Sequence, residues 1–544
     1  MENRKKTLIF LILIIILGAI LRFWGLRLDL PSVYHPDEHF IVYYGLEIPK
    51  RFGNPGWFGY PSMCMYLFTF ANVLWFAAAY ISGNVSSWGE FYKWYQDDPT
   101  AFYLLARTIT ILWGLLTIWL LYYWGKKEKS TKLGLLSALA LSVVFIHVRE
   151  SHFVTVDVPL TAFMTAGSIC LMQLVRTKDK FWFYASIVCT GLATGCKYTG
   201  IFLFPGLVAA IVLTEPRKYI FSNIIHAFFS IIIIFTLTTP FSVIVFPDFL
   251  QDILYQFYAS NNSGMLFNAK HSWFYYFENF FGMVDESALV MCIGVVVVFV
   301  YTIFVKKDKH DIPVLLWVFL YLIWLTITPR GWIRWSLPVI PPLIYFGCQF
   351  VDFSLEKNIK SVWIGYCLII FAFFMKSILF DLCIVINQDT RDLAIKWLKN
   401  NVEKQSYIYR GSFGPDLKAL EKAGFRVITD KSLLSDRIAF KNSKTFKAKP
   451  HFLPKTNRDL YFILDSYSYM PIYNTELKEK FKWLDIYKIF WNIIDDSSEL
   501  ETLFINTYEN KESWEGIYAP YKCLTFRGPD IHIYKLGKDD KAKE

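Results

Sequence analysis

The chain has 544 residues, 54% of them hydrophobic and 19% aromatic, with only 19% charged; soluble proteins carry about a quarter charged residues. Its apolar residues fall in repeated blocks of membrane-spanning length, which excludes a wholly soluble fold and predicts a polytopic α-helical membrane protein. The formal net charge of +10 sits in short connectors between those blocks. No basic stripe interleaves with aromatics on a soluble face, so nucleic acid is excluded as a partner and the charge is a topology signal.

The N-terminus, Arg4-Lys5-Lys6 followed by the apolar run Thr7 to Trp24, lacks a small-residue cleavage site and reads as a retained signal anchor. Further spans are predicted at 101–124, 132–148, 156–175, 181–196, 199–214, 219–246, 288–305, 312–328, 332–351 and 361–386. The apolar stretch 61–82 is ambiguous by length alone. Charge decides it. The basic connectors Arg4 to Lys6, Lys126 to Lys129, Arg176 to Lys180, Arg217-Lys218, Lys306 to Lys309 and Lys357 to Lys360 all share one side only if 61–82 does not cross. That stretch is therefore expected to be a juxtamembrane or re-entrant helix inside an external loop, 25–100. The result is about eleven spans, with the N-terminus cytoplasmic and everything after residue 388 extracytoplasmic, at the plasma membrane if the cell is prokaryotic.

Residues 389–544 read as a soluble extracytoplasmic α/β domain. Thr390 to Asn400 has the pattern of an amphipathic helix. Ser406–Tyr409, Phe425–Thr429, Leu460–Leu464 and Ile531–Tyr534 have that of short strands. There is no P-loop, nucleotide-binding glycine pattern or internal repeat. The nine cysteines form no CxxC pair and mostly lie in apolar segments, where they pack.

The topology sends several ionisable residues to one external face. His35-Pro36-Asp37-Glu38-His39 follows the first span. Adjacent carboxylates cannot both face one pocket from a regular helix, and acids in a first helical turn are also favoured by the macrodipole alone. Arg149 to Asp157 follows the third span; Asp157 reads either as a helix cap or as a site carboxylate, and Arg149 and His152, three apart, share a face if helical. Lys197 and the pair Arg330 and Arg334 are external as well, and read either as snorkelling cations or as phosphate ligands. External carboxylates suit activation of a nucleophile; external cations suit a phosphate leaving group.

These stretches together resemble the polyprenyl-phosphate-sugar-dependent glycosyltransferases of the membrane GT-C fold. This is the group of protein O-mannosyltransferases and lipid A aminoarabinose transferases, glycosyltransferase family 39-like. The resemblance rests on Tyr34-His35-Pro36-Asp37-Glu38, Tyr60-Pro61-Ser62, Ser151-His152-Phe153 to Asp157-Val158-Pro159, and Cys196-Lys197-Tyr198-Thr199. Arg334 with Pro338 and Pro341 resembles a later Arg-Tyr-x-x-Pro element, with Trp335 in the aromatic place. It covers about residues 5–390. The His-Pro-Asp-Glu form is also similar to mannosyltransferases of glycolipid-anchor and dolichol-linked glycan assembly. No acid-lysine pair precedes Pro61, so lipid-phosphate contacts of aminoarabinose transferases in that helix are not carried over.

The resemblance implies a sugar donor on dolichyl or undecaprenyl phosphate, a hydroxyl acceptor on protein, lipid or glycan, and inversion at the anomeric carbon. Asp37 would be the base, with Glu38 and Asp157 as further catalytic acids. His35, Arg149, His152, Lys197, Arg330 and Arg334 would bind substrate or lipid phosphate. Membrane lipid is the surrounding partner. No metal or other cofactor is obligatory, although Asp37, Glu38, His35 and Asp157 are ligand types that suit a divalent cation. The alternative is a transporter or flippase of lipid-linked sugars, against which stand charges at loop edges and no repeat. A scaffold whose C-terminal domain binds polymer is a third reading.

Overall fold

A computed structural model describes residues 2–266, 308–328, 333–386, 389–410, 414–429, 460–465, 498–504 and 531–536. The chain divides into a unit within Met1–Leu382 and a unit built mainly on Cys383–Glu544.

The first unit is helical: α1 (Glu2–Phe23), α2 (Pro36–Glu47), α3 (Met63–Ile81), α4 (Trp88–Asp97), α5 (Thr100–Glu128), α6 (Thr131–Val143), α7 (Phe145–Ser151), α8 (Asp157–Thr177), α9 (Lys180–Cys196), α10 (Leu203–Thr214), α11 (Arg217–Thr238), α12 (Phe241–Ile244), α13 (Phe246–Leu266), α14 (Ile312–Ile327), α15 (Ile340–Glu356) and α16 (Lys360–Ile386). Among the described residues, eight helices are long and apolar enough to cross a membrane, and α6 with α7 forms a ninth such unit bent by 61°. The predicted spans 181–196 and 199–214 form the shorter helices α9 and α10. The predicted span 288–305 lies outside the described residues. Phe221, Phe229, Ile233 and Leu237 of α11 are exposed, as expected of side chains that face lipid. The protein is an integral, multi-pass membrane protein.

Helix α8 is the axis of the bundle and is almost wholly buried. Its 21 residues rise about 31 Å at 1.5 Å per residue, the thickness of a hydrocarbon core. Helices α5 and α6 form a close hairpin, opened by Ser130, whose hydroxyl caps Leu133 N. Gly125 faces Gly134 there: a Cβ on Gly125 would stand 2.6 Å from the Gly134 nitrogen.

The span after this hairpin is broken at Val144, which is extended (φ −62, ψ 117). Helix α6 thus ends inside the bundle with carbonyls that lack intrahelical partners. Arg22, fully buried, covers two of them by donating to Ser142 O at 2.9 Å and Leu141 O at 3.3 Å. It also contacts His147 Nδ1 at 2.8 Å. Ser377 donates to Val143 O at 2.9 Å.

The two ends of the bundle differ chemically. At one end Lys129 and Lys132 pair with Asp352 (2.8 and 3.2 Å) and Arg176 pairs with Glu128 (3.4 Å). Glu128, Lys129 and Arg176 belong to the basic connectors. At the other end the start of α8 meets the end of α9. Helix α3 meets the length requirement for a span, yet Met63 in its first turn contacts Cys196, the last residue of α9. Trp75, farther along, packs on Phe102 in the first turn of α5, with centroids 4.8 Å apart. Both contacts fall at the same end of the bundle.

In the second unit, strands β1 (Tyr407–Arg410), β2 (Arg426–Thr429), β3 (Leu460–Asp465), β4 (Ser498–Phe504) and β5 (Ile531–Leu536) form one sheet of order β2-β1-β3-β5-β4. Strand β1 is parallel to β2 and β3, whereas β5 is antiparallel to β3 and β4. Helix α17 (Thr390–Asn401), capped by Asp389, packs Ala394, Ile395 and Leu398 with Ile408, Tyr461 and Ile533. A short helix, α18 (Leu417–Lys422), connects the parallel pair β1 and β2. The four predicted strands and the predicted helix are present within a residue or two. Strand β4 was not predicted: a register shift between Leu500 and Thr502 disrupts the alternation that marks a strand.

Candidate active site

Pro36 opens α2, and Asp37 and Glu38 occupy its first turn. Consecutive side chains on a helix diverge by roughly 100°, so the two carboxylates meet different partners. Asp37 Oδ2 pairs with Arg334 Nη2 at 2.9 Å and accepts from the Tyr60 hydroxyl at 3.3 Å. Glu38 is fully buried and takes Arg107 Nε at 2.8 Å and Nη2 at 2.7 Å in a two-pronged contact. Its Oε1 also accepts from Val154 N at 2.9 Å. Arg107 donates onward to Leu26 O and Leu28 O at 2.9 and 2.8 Å. Glu38 and Arg107 thereby join α2, α5, the segment after α1 and the segment before α8.

Asp157 is the first residue of α8 and not its cap: the N-cap is Val156, without a side-chain bond. Asp157 Oδ1 instead meets Lys197 Nζ at 2.6 Å, and its Oδ2 is buried without a hydrogen-bond partner among the described residues. Lys197 reaches it because the chain turns sharply after α9. Lys197 is extended (φ −152, ψ 140) and Gly200 N donates to Lys197 O at 2.8 Å. A Cβ on Gly200 would lie 2.2 Å from the Ala193 carbonyl carbon, so the turn requires glycine. Lys197 Nζ also stands 5.2 Å from the centre of the Trp335 ring. Arg334 and Trp335 lie on a 3₁₀ segment, Ile333–Val339. It is held by the Tyr321 hydroxyl donating to Trp335 O at 3.0 Å and by Trp324 stacked on Trp335 at 5.5 Å.

Helix α7 supplies a fourth ion pair. Arg149 donates to Glu150 Oε1 from Nε at 3.0 Å and from Nη2 at 2.8 Å, while Glu150 Oε2 is buried without a hydrogen-bond partner among the described residues. His152 is fully buried, its ring nitrogens 2.9 Å from Val148 O and 2.8 Å from Trp24 O. His35 stacks on Phe153 at 4.4 Å, and its buried Nδ1 has no hydrogen-bond partner among the described residues. Burial holds the His35 imidazole below its ordinary pKa, against the opposing pull of the Asp37 and Glu38 charges.

Exposure separates the four pairs. The side chains of Glu38 and Arg107 are 0% and 1% exposed, those of Arg149 and Glu150 4% and 3%, and those of Asp157 and Lys197 1% and 8%. Asp37 and Arg334 reach 14% and 12%. Asp37 is the most open of these carboxylates.

Of the predicted residues, Asp37 pairs with Arg334 and Asp157 with Lys197, and Trp335 links the two pairs. His35 lies within the electrostatic reach of Asp37 and Arg334. Glu38 and His152 are instead occupied in buried contacts that fasten elements together, and Arg149 is paired with its neighbour. Arg330 lies outside the described residues. Arg107, Glu150 and the Tyr60 hydroxyl were missing from the predicted site. An arginine inside the apolar run 101–124 is a signal for the first; Glu150 and Tyr60 had only their neighbours in sequence to point to them. Among the described residues, no group of three or more His, Cys, Asp or Glu side chains is placed to hold a metal ion.

The sequence profile of the dolichyl-phosphate-mannose-protein mannosyltransferase family matches residues 104–244. That range contains Arg107, Glu150, Asp157 and Lys197, but not Asp37 or Arg334. No curated protein matches the chain. The fold is similar to ArnT from Cupriavidus metallidurans bound to undecaprenyl phosphate, at 14% identity and a TM-score of 0.51 over 85% of this chain and 94% of that one. ArnT in the apo state gives 13% identity and a TM-score of 0.50 over 87% and 95%. AglB, the archaeal oligosaccharyltransferase from Archaeoglobus fulgidus, gives 10% identity and a TM-score of 0.47 over 78% and 64%. The chain thus has the GT-C fold, and residues 104–244 are similar to the dolichyl-phosphate-mannose-protein mannosyltransferase family.

Proposed function

We propose that the protein is a glycosyltransferase that moves a sugar from a polyprenyl-phosphate donor to a hydroxyl acceptor with inversion, and that Asp37 is its general base. The observation that carries this reading is the Asp37–Arg334 pair, the most open of the four and the one that joins a carboxylate to a cation suited to phosphate. The undecaprenyl phosphate bound by ArnT, which shares the fold, supports the donor class.

Arg334 and Lys197 hold the donor phosphate. Arg334 is then shared between phosphate and Asp37, which frees Asp37 to accept a proton. The acceptor O–H gives its proton to Asp37 as its oxygen bonds to the anomeric carbon. The bond from that carbon to the phosphate oxygen breaks, and its electron pair leaves with the polyprenyl phosphate. One displacement inverts the anomeric centre. Asp157 positions Lys197, and Glu38 with Arg107 fixes the first turn of α2. The site and the C-terminal unit are extracytoplasmic and the basic end of the bundle is cytoplasmic.

The test is transfer from a labelled polyprenyl-phosphate sugar by purified protein. Asp37→Asn is expected to lose about 10²–10⁴-fold in kcat and to bind polyprenyl phosphate as before. Vectorial movement of the donor without bond cleavage would favour a flippase instead.

A further inference from the structure

Among the described residues, the buried polar atoms around the Asp37–Arg334 pair without a hydrogen-bond partner include Glu150 Oε2, Asp157 Oδ2 and His35 Nδ1. Glu150 is 2% exposed, Asp157 1% and His35 6%. They come from three elements, α7, the start of α8 and the residue before α2. The Glu150 charge acts electrostatically on His35, Asp157 and Arg334, so it belongs to the same neighbourhood. Both nitrogens that Arg149 directs at Glu150 fall on a single oxygen, Oε1. The other oxygen of a buried carboxylate is left over, which is costly unless a donor meets it.

The two leftover carboxylate oxygens require donors. A phosphate offers only acceptors and is the wrong partner for them; it suits Lys197 and Arg334. On a lipid-phosphate sugar, hydrogen-bond donors lie on the sugar ring, next to the phosphate. Asp37, the more open acid, faces the acceptor in the proposed reaction, which leaves Glu150 and Asp157 to the donor sugar.

We infer that Glu150 is a sugar-binding residue whose Oε2 accepts a hydrogen bond from a hydroxyl of the donor sugar, and that with Asp157 it selects an uncharged, hydroxyl-bearing sugar over one that carries a carboxylate. This rests on the proposed glycosyl transfer and names its substrate class. A uronic acid would bring a third negative charge against Glu150 and Asp157, and like charges in a buried site are strongly disfavoured. Glu150→Gln keeps the shape but puts an amide donor within reach of that position. It should therefore weaken the neutral sugar and relieve the uronic acid.

The experiment compares the purified full chain and Glu150→Gln with two polyprenyl-phosphate donors, a neutral hexose and the corresponding uronic acid. Binding of sugar-free polyprenyl phosphate is measured alongside. The wild type is expected to use the hexose and reject the uronic acid. Glu150→Gln is expected to lose about 10- to 100-fold in kcat/KM for the hexose, to narrow the ratio between the donors, and to bind the sugar-free lipid unchanged. A merely structural role would lower both donors equally and leave the ratio alone. Equal use of both donors by the wild type, or an unchanged ratio in Glu150→Gln, overturns the inference and leaves glycosyl transfer standing. A wild type that neither binds the lipid phosphate nor transfers either sugar overturns both. If Glu150→Gln does not fold, Glu150→Asp, which keeps the Arg149 charge partner but withdraws the carboxylate, is expected to lose hexose turnover with lipid binding intact; unchanged turnover overturns the inference.

Discussion

Asp37 and Glu38 are neighbours with opposite surroundings. One carboxylate is open enough to meet a ligand; the other is sealed between Arg107 and the Val154 amide. Removing one partner of a buried pair leaves an uncompensated charge and costs about 3–5 kcal/mol. Glu38→Gln is therefore expected to lower the thermal midpoint and activity together, whereas Asp37→Asn lowers activity with the midpoint little changed; equal midpoints for the two variants would remove the distinction. His35 gives a pH dependence with a definite sign. Its folded pKa is depressed below the ordinary value of about 6.5, so the unfolded chain binds the proton more readily. The stability this contributes is full above about pH 6.5 and is lost as pH falls toward and through the folded pKa. His35→Phe keeps a ring on Phe153 and removes the titration, so its thermal midpoint should fall less than wild type between about pH 7 and 5; parallel declines would contradict this. Asp157, Lys197 and Arg334 were readable from sequence because each is an ionisable group at the edge of an apolar run. Their pairings were not, since Asp157 and Lys197 are 40 positions apart, Arg334 pairs with Asp37 from the far end of the bundle sequence, and nothing local links them.

At the scale of elements, the break between α6 and α7 sets the site wall. It carries Arg149, Glu150 and His152 inward, and it was invisible in the sequence. Residues 132–148 read as one span because no proline interrupts them and their one glycine, Gly134, lies ten residues before the break; only the β-branched pair Val143-Val144 hints at an extended residue. The break persists because Arg22 and Ser377, from the first and last spans, occupy the freed carbonyls. Arg22→Met is expected to cost about 1–3 kcal/mol for each buried carbonyl left unpaired, read as a lower thermal midpoint and as faster hydrogen exchange in 137–151. Unchanged exchange there would show that Arg22 does not hold the break. Gly134→Val should destabilise the α5–α6 hairpin by about 1–3 kcal/mol, because the added carbons would meet Tyr122 O and the Lys126 nitrogen, backbone atoms that cannot rotate away. The C-terminal strands were more legible: four of five announced themselves by alternation and turn residues, and the fifth was hidden by its bulge.

Across the whole molecule, charge bias in the sequence alone separates the ends of the bundle. It put Asp37, Asp157, Lys197 and Arg334 on one face, and the ion pairs gather them at one end, with the connectors around Lys129, Arg176 and Asp352 at the other. It also assigned 61–82 to an external loop; α3 there is long and apolar enough to cross a membrane and contacts Cys196 and Phe102. What charge counting could not supply is the partition of that face into an open pair and three closed ones, which depends on packing among residues far apart in the chain. The most direct test of the central claim is single-turnover transfer from a labelled polyprenyl-phosphate sugar by purified wild type and Asp37→Asn, with lipid binding measured on the same preparations. Glycosylated acceptor of inverted configuration from the wild type, and its loss from Asp37→Asn with binding retained, is the expected result. Undiminished transfer by Asp37→Asn would contradict the account.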